Sequence, residues 1–561
     1  MSCPSRSLRL VAACFTAATS LGGSEAASPP DDRKAKVDAL FAAYDRSDSP
    51  GCALGVFQDG RIVYARGYGM ANLELRVGNS PQTAFDIGST AKQFAAFSIL
   101  LLQKDGKLSV DDDIRKYLPE IPDYGRRITI RHLLTHTSGL RDYLELMDLE
   151  GIKEEDLTTD QDALDILSRQ KALNFPPGSE HLYSNSGFFL LSVIVRRVSG
   201  KSLRDFARER IFDPLGMTHT QYNDDHSRWI PNRATGYAPR EGGGFSISMS
   251  DFEQTGDGGI LTTAEDLLRW DQNFYDPAVG DRALLAEMQM PGKLNDGKPL
   301  EYAFGLYVGR QQGQRVVNHG GAWVGYRAQL ERFPDHHFSV ACLCNLSTAN
   351  PSRLARRVAE IYLGDLLKKQ PESGPTAPNV AASSASDLAR YAGPYRDAKA
   401  GTFAVLTARA GRLVIKSQGY DLALPPAGPN RFAADETFAL EFAATPSTGG
   451  RPSFTILEEG EAPQQFQPID PWKPSAADLS ACAGSYAADE VRGVFRFVVE
   501  NGSLVLKHRT IPGTAWEPTL PNMFTEGYRT VTFTRDGRGK VNGLTLDAGR
   551  VRGLVFRKLP G

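Results

Sequence analysis

The chain of 561 residues is longer than one compact domain, and its length predicts two to four domains. Its 64 basic and 66 acidic residues give a formal net charge of -2 and are scattered rather than grouped in blocks. This balance offers no electrostatic basis for binding nucleic acid or an anionic membrane surface, so neither is an expected partner. The 41% of apolar residues is enough for several buried cores in a soluble protein.

Positions 1–27 are typical of a secretory signal peptide. Arg6 and Arg9 precede a mildly apolar run, and Ser24-Glu25-Ala26 fits a small-x-small cleavage site. A cytosolic tail is the alternative, because the run is only moderately apolar. No later stretch reaches the ~20 apolar residues of a membrane span, so we expect no stable membrane insertion. We expect a mature protein that is secreted or periplasmic.

Four cysteines remain beyond this segment, namely Cys52, Cys342, Cys344 and Cys482. Four in so long a chain do not make a disulfide framework. Cys342 and Cys344 share one face of a strand predicted over 338–346. We expect small buried apolar side chains, with a disulfide bridge or a metal site as the alternative.

We place the first folded domain at 33–366. The two-residue turn Asp59-Gly60 predicts a hairpin near its start, and Pro334-Asp335 predicts another near its end. Helices are predicted between them, at 91–103, 187–198 and 264–273. Strands at both ends with helices between them predict an α+β domain, in which an antiparallel sheet is flanked by helices and carries an all-helical insertion.

Two small all-β domains are predicted to follow. Residues 367–386 are rich in Pro, Ser, Ala and Gly and are interpreted as a linker. Beyond them LARYAGPY recurs as LSACAGSY, and each copy leads into alternating strands and Gly-containing turns. This repeat predicts two barrel-like domains, at 387–472 and 477–561, unless the similarity is coincidental.

Ser89-Thr90-Ala91-Lys92 opens a predicted buried helix. A spacing of three puts the Ser89 hydroxyl and the Lys92 amine on one face, a turn apart. Apolar surroundings favour the neutral, basic form of a lysine, so Lys92 can accept the Ser89 proton. The free backbone N–H of Ser89 at the helix start can face a developing oxyanion. A helix-capping serine beside a surface lysine would give the same pattern without a function.

Tyr183-Ser184-Asn185 follows a Pro-Pro-Gly turn and precedes an apolar run. A phenol beside a lysine can relay a proton to a leaving group, and the Asn185 amide can orient both the lysine and a substrate carbonyl. A structural tyrosine in a turn is the alternative. The motif therefore indicates a function only in combination with the other motifs of the chain.

His319-Gly320-Gly321 ends a predicted strand, with Ala322 directly behind it. The paired glycines allow a substrate backbone to approach the strand edge closely. The backbone N–H of Ala322 can then supply a second oxyanion donor, and His319 can hydrogen-bond substrate. A simple loop is the alternative.

Together the three motifs resemble the serine β-lactamase and penicillin-binding-protein superfamily, which carries S-x-x-K, S-D-N and K-T-G in this order. Here Y-S-N stands in place of the second motif and H-G-G in place of the third, as in the class C β-lactamase-like branch of esterases and S12 peptidases. HLLTHTSGL at 132–140 and GGILTTAED at 258–266 are also similar to that branch. The resemblance covers 38–350.

The resemblance implies a serine hydrolase that works by two-step acyl transfer without a cofactor or a metal. Ser89 would attack the substrate carbonyl while Lys92 and Tyr183 share the proton, and which of the two is the base stays open. The backbone N–H groups of Ser89 and Ala322 would hold the oxyanion. Asn185, with the H-G-G segment, would bind substrate.

The expected substrate depends on His319. A lysine at that position in β-lactamases and transpeptidases attracts the substrate carboxylate, and a mostly neutral histidine attracts it less. We therefore expect an ester or a small D-amino-acid amide or peptide as substrate. The alternatives are a β-lactamase or DD-peptidase acting on β-lactams or peptidoglycan, and a non-catalytic protein that binds peptidoglycan or another ligand.

His132 and His136 have the i, i+4 spacing of a zinc-binding helix. Leu133 occupies the position where such a helix needs its glutamate, which disfavours a metal-dependent hydrolase. We expect a helix-capping or core role for the two histidines.

The domain order resembles that of the D-stereospecific aminopeptidases of this superfamily, in which a loop from the last barrel reaches the active site. The candidate loop here is 510–528, where Glu517 or Glu526 could meet a substrate amine. An ordinary loop between strands is the alternative.

Overall fold

A computed structural model describes residues 32–364, 366–367, 388–397, 403–409, 411–417, 420–434, 438–444, 450–458, 463–508 and 513–560. The predicted signal peptide at 1–27 lies outside the described residues, and so does the predicted linker at 367–386 except for Leu367. No helix among the described residues combines the length and the apolar composition that crossing a bilayer requires.

The first folded domain contains thirteen of the described strands, which we number in chain order. They are β1 (Cys52–Gln58), β2 (Arg61–Tyr68), β3 (Met70–Asn72), β4 (Val77–Gly78), β5 (Phe85–Asp86), β6 (Gln221–Tyr222), β7 (Tyr237–Pro239), β8 (Phe245–Ile247), β9 (Ile260–Thr262), β10 (Tyr307–Gln311), β11 (Gln314–Trp323), β12 (Tyr326–Phe333) and β13 (Phe338–Cys344). Six of them form one antiparallel sheet in the order β10-β11-β12-β13-β1-β2. The sheet is therefore assembled from the two ends of the domain, as predicted.

Helices cover this sheet and fill the middle of the domain. They are α1 (Asp32–Phe41), α2 (Lys92–Lys104), α3 (Ile130–Leu134), α4 (Tyr143–Glu150), α5 (Asp160–Ser168), α6 (Asn185–Ser199), α7 (Leu203–Ala207), α8 (Asp213–Leu215), α9 (Ala264–Asn273), α10 (Arg282–Met288) and α11 (Pro351–Leu363). Eleven of the thirteen residues of α2 are buried, because its apolar side chains point in nearly every direction. Helix α6 has the same character over its first eleven residues. The two helices pack together and hold their N-terminal ends inside the domain.

Two all-β units follow, which confirms the predicted class of the C-terminal region. The first is a nearly closed sheet of β14 (Gly393–Arg396), β15 (Phe403–Arg409), β16 (Arg412–Ser417), β17 (Tyr420–Leu424), β18 (Pro426–Gly428), β19 (Arg431–Ala433), β20 (Phe438–Phe442), β21 (Phe454–Glu458) and β22 (Gln464–Pro468). The second begins with α12 (Ala476–Cys482) and closes into an eight-stranded barrel of β23 (Gly484–Ala487), β24 (Phe495–Glu500), β25 (Ser503–Lys507), β26 (Ala515–Pro518), β27 (Met523–Glu526), β28 (Arg529–Arg535), β29 (Val541–Ala548) and β30 (Val551–Lys558).

The last barrel docks directly on the first domain. Arg141 and Glu490 form an ion pair at 2.6 Å that is buried on both sides. The Arg141 guanidinium also donates to the backbone carbonyl of Arg552 in β30. Burying a charged pair costs desolvation, so such a contact fixes the position of two domains more than it adds stability.

A disulfide bond joins Cys52 in β1 to Cys344 in β13. The expectation that the cysteines are only small buried apolar side chains was wrong for this pair. The two residues lie directly opposite each other in neighbouring strands, although 292 positions separate them in the chain. Cys342 and Cys482 are free and buried, as expected.

Candidate active site

Ser89 lies in a single 3₁₀ turn, Gly88–Ala91, which leads directly into α2 at Lys92. The Lys92 Nζ donates to the Ser89 Oγ at 2.9 Å. Lys92 is fully buried, whereas Ser89 is only half-buried and lines a cavity of about 210 Å³. The turn thus presents the hydroxyl to the cavity and keeps the amine behind it.

Three oxygen atoms surround the Lys92 amine. Besides Ser89, it donates to the Asn185 Oδ1 at 2.9 Å and to the backbone carbonyl of Asp257 at 2.7 Å. Burial lowers the pKa of Lys92 to about 7, while the charges of Asp257 and Asp142 oppose this shift. The amine is therefore hydrogen-bonded in a geometry that suits proton transfer and is largely neutral above pH 7.

Tyr183 lines the same cavity as Ser89, and the Lys92 Nζ lies 4.9 Å from the centre of its ring. Burial raises the pKa of Tyr183 well above its ordinary value, while the nearby Ser89 opposes the shift. Ser89, Lys92 and Asn185 thus form one hydrogen-bonded cluster, with the Tyr183 ring beside the amine at its centre.

Strand β11 packs against the turn that carries Ser89. A Cβ on Gly88 would lie 2.8 Å from the backbone nitrogen of Ala322, and a Cβ on Gly321 would overlap the carbonyl oxygen of Ile87. Ala322 lines the cavity. Gly321 is therefore needed for the contact between strand and turn rather than for the approach of a substrate.

Gly320 has a similar local explanation. A Cβ on Gly320 would lie 2.9 Å from the Gln329 Oε1 on the neighbouring strand. It therefore leaves room for a protein side chain, and Gly320 and Gly321 lie outside the cavity lining.

His319 is not among the residues that line the cavity. Its Nε2 lies 3.0 Å from the Tyr302 hydroxyl and its Nδ1 lies 2.6 Å from the Gly320 carbonyl oxygen. Burial lowers the pKa of His319 to about 3, helped by the nearby charge of Lys92. The ring is thus neutral at every physiological pH and bonded to protein atoms on both nitrogens, so it presents no charge to a substrate.

Asp257 and Tyr143 are cavity residues that the sequence reasoning did not select. Asp257 follows a left-handed glycine, Gly256, in the loop before β9, and its carboxylate accepts from the Tyr143 hydroxyl at 3.0 Å. Burial raises the pKa of Asp257 to about 6, and the charge of Lys92 opposes the shift. The G-D-G-G sequence next to the quoted 258–266 similarity was the available signal.

Arg550 reaches the same cavity from the turn between β29 and β30 of the last barrel. Its Nε donates to the Glu145 Oε1 at 2.9 Å, and its Nη1 lies 3.4 Å from the Asp142 Oδ2. The Asp142 Oδ2 also accepts the backbone N–H of Asn185 at 2.7 Å. The barrel is thus linked to the catalytic cluster through one carboxylate.

The predicted contribution of 510–528 was therefore placed in the wrong hairpin. Its described part forms β26 and β27, and Glu517 and Glu526, both among the described residues, lie outside the cavity lining. Glu526 instead lies 3.8 Å from Arg529 in the next strand. The side chain from the last barrel that does reach the cavity is Arg550, in the two-residue turn between β29 and β30, and the sequence of that turn holds no signal of this role.

Groups with metal-ligand chemistry lie elsewhere in the described structure. Cys52, Cys342 and Cys344 cluster around the disulfide, and Asp225, His226 and Glu253 come within 4.8 Å of one another at the surface. None of these residues lines the cavity that contains Ser89. His132 caps α3 through a bond from the Thr129 N–H to its Nδ1, which confirms the expected structural role.

The β-lactamase family model matches residues 37–365. The chain belongs to the β-lactamase family. It is 31% identical over 424 residues to a penicillin-binding protein of Bacillus subtilis (strain 168), covering 72% of this chain and 92% of that protein. It is 29% identical to a D-aminopeptidase of Gluconobacter oxydans (strain 621H), covering 57% of this chain and 60% of that enzyme. The resemblance seen in the sequence is confirmed, and the chain is a serine hydrolase.

Solved structures agree on the fold. The octameric penicillin-binding protein homologue from Pyrococcus abyssi has a TM-score of 0.56 at 23% identity, covering 78% of this chain and 99% of that one. A penicillin binding protein from Bacillus halodurans has a TM-score of 0.51 at 26% identity, covering 59% of this chain and 98% of that one.

Proposed function

We propose that this enzyme hydrolyses small amides, peptides or esters of D-amino acids through an acyl-enzyme on Ser89. The carrying observation is the position of the Lys92 amine, which is buried and bonded to the Ser89 hydroxyl at 2.9 Å. The D-aminopeptidase and penicillin-binding relatives support this substrate class. The cavity of about 210 Å³ suits a small substrate.

Lys92 is the better base of the two candidates. A catalytic base works best when its pKa lies near the working pH. The pKa of Lys92 is about 7, whereas that of Tyr183 is held well above its ordinary value. In the proposed acylation, the Ser89 proton moves to the Lys92 Nζ while the Ser89 Oγ attacks the substrate carbonyl carbon.

The remaining groups serve the tetrahedral intermediate. The backbone N–H groups of Ser89 and Ala322 would bind its oxyanion, since the close packing of Gly88 against Ala322 brings the two backbones together. Tyr183 would donate its proton to the leaving group and regain one from the neighbouring Lys92 ammonium, whose Nζ lies 4.9 Å from the centre of the Tyr183 ring. In deacylation, water loses a proton to Lys92, attacks the acyl carbon and frees the Ser89 Oγ, which takes a proton back.

His319 argues against efficient β-lactam hydrolysis. Its ring is neutral, buried and bonded at both nitrogens, so position 319 offers no side-chain cation to the carboxylate of a β-lactam. We expect slow or absent nitrocefin turnover. The test is a panel of D- and L-aminoacyl p-nitroanilides, short-chain p-nitrophenyl esters and nitrocefin on the purified protein. Turnover of nitrocefin with the highest kcat/KM of the panel would overturn the proposal.

We also propose that the enzyme acts outside the cytoplasm. The signal-peptide pattern at 1–27 supports this location, and so does the disulfide between Cys52 and Cys344, since such bonds persist in oxidising compartments. The test is to express the full chain in a bacterium and assay the periplasmic and cytoplasmic fractions. Recovery of uncleaved protein only from the cytoplasm would contradict the proposal.

A further inference from the structure

Asp257 is a buried carboxylate beside the nucleophile that the acyl-transfer mechanism does not use. Its side chain is 7% exposed and lines the cavity with Ser89. The loop that carries it is closely packed on one side, because a Cβ on Gly256 would overlap the carbonyl oxygen of Phe188. The carboxylate is therefore held in a fixed place.

Two bonds anchor Asp257 to the catalytic cluster. Its backbone carbonyl accepts from the Lys92 Nζ at 2.7 Å, and its Oδ2 accepts from the Tyr143 hydroxyl at 3.0 Å. Lys92 lies 2.9 Å from the Ser89 Oγ. A substrate whose carbonyl meets Ser89 therefore occupies the cavity that Asp257 also lines.

The charges around the cavity are matched in pairs, with one exception. Arg233 faces Asp86, and Arg550 bonds Asp142 and Glu145. Asp257 instead feels the charge of Lys92, which lies behind the turn that presents Ser89 to the cavity.

Before the Ser89 proton is transferred, that partner carries no charge. Lys92 must be neutral to accept the Ser89 proton, and a buried carboxylate without a counter-charge is unfavourable. The reactive state of the enzyme therefore leaves Asp257 in need of a cation. A substrate ammonium group on the carbon next to the scissile carbonyl would supply it.

We propose that Asp257 binds the α-ammonium group of the substrate and thereby selects substrates with a free amine on the acyl side. This inference rests on the proposed function and names the residue that recognises the acyl part of the substrate. Asp257 takes the place that the sequence reasoning had assigned to Glu517 or Glu526. A role limited to activating the deacylating water is the competing explanation.

The test compares two substrates that differ only in the amine, D-alanine p-nitroanilide and propionic acid p-nitroanilide. The parent enzyme should prefer the first by about tenfold or more in kcat/KM, the size expected for a hydrogen bond to a charged group. Asp257→Asn keeps the size of the side chain and an oxygen for the Tyr143 hydroxyl, and it should abolish most of that preference. Any change in Lys92 acts on both substrates and cancels in the ratio.

Asp86→Asn is the matched control, because Asp86 is a second cavity carboxylate that accepts the Gly88 N–H at 2.7 Å. It should change both rates together and keep the ratio. An unchanged ratio in Asp257→Asn would overturn the inference, and so would an equal loss on both substrates. If the variant does not fold, a parent enzyme that cleaves both substrates equally well also overturns it. A parent that cleaves neither substrate and forms no adduct on Ser89 contradicts the proposed function instead.

Discussion

The ring of His136 lies 4.1 Å from the ring of Tyr183, centre to centre, and its Nδ1 accepts the backbone N–H of Ser184 at 3.1 Å. The backbone carbonyl of His136 also accepts the N–H of Leu182 at 3.0 Å. His136 therefore bonds the residues on both sides of Tyr183. It does so from a left-handed backbone conformation with a φ of 55°.

We expect His136 to act as a positioning residue for Tyr183. His136→Leu removes the acceptor for Ser184 and should lower kcat about 10- to 100-fold with little change in KM, because a misplaced catalytic group costs that much. His136→Asn places an oxygen near the Nδ1 position and tolerates positive φ, so it should recover most of the loss. The measurement is steady-state kinetics on a p-nitrophenyl ester, with thermal melting to compare the two folds. Equal kcat in both variants would contradict this role.

The pH dependence should follow Lys92. Its pKa is lowered by burial to about 7, and only the neutral amine accepts a proton. The kcat/KM for an uncharged ester should therefore be low at pH 5 and rise with pH through about 7. Lys92→Arg stays protonated at any useful pH and should lose about 10²- to 10⁴-fold. A rate that is flat from pH 5 to 9 would show that another group is the base.

Arg550 should tune this profile from the last barrel. Its positive charge lowers the pKa of Lys92, so Arg550→Gln should raise that pKa and move the acid limb to higher pH. The same change leaves the Asp142 and Glu145 carboxylates without their cation and should lower the melting temperature. Arg552→Gln is the matched control. Arg552 lies two positions after Arg550 and forms its ion pair with Glu180 instead. An identical pH profile in the two variants would argue against a link between barrel and site.

The disulfide between Cys52 and Cys344 should stabilise the central sheet. Removing the bond increases the number of conformations open to the unfolded chain. This is expected to lower the free energy of unfolding by about 2–5 kcal/mol. Reductant should therefore lower the melting temperature of the parent protein. It should leave the Cys52→Ala, Cys344→Ala double variant unaffected, and an equal response of both proteins would contradict the bond.

The sequence reveals the parts of the site that depend on local spacing. Ser89 and Lys92 lie one turn apart on any helix, and the hairpin turns at both ends of the domain predict a sheet made from its two extremities. Contacts between distant segments escape such reasoning. Cys52 meets Cys344 only because β1 and β13 become neighbours in the sheet.

The burial of His319 and the entry of Arg550 into the cavity could not be predicted either. His319 belongs to the third motif, and the residues next to it in the chain do not indicate that its Nε2 hydrogen-bonds the Tyr302 hydroxyl. Arg550 enters the cavity because the whole last barrel docks against Arg141 and Glu145. The position of Arg550 depends on the contact between two domains, and the sequence of a short turn in a β-barrel does not indicate that contact.

The most direct test of the account is the covalent adduct on Ser89. The parent protein should react with a fluorophosphonate, and peptide mapping should place the adduct on Ser89 alone. Ser250→Ala, which removes another hydroxyl from the same cavity, should still form the adduct. Ser89→Ala should fold normally, form no adduct and turn over no substrate, whereas turnover at the parental rate by Ser89→Ala would contradict the account.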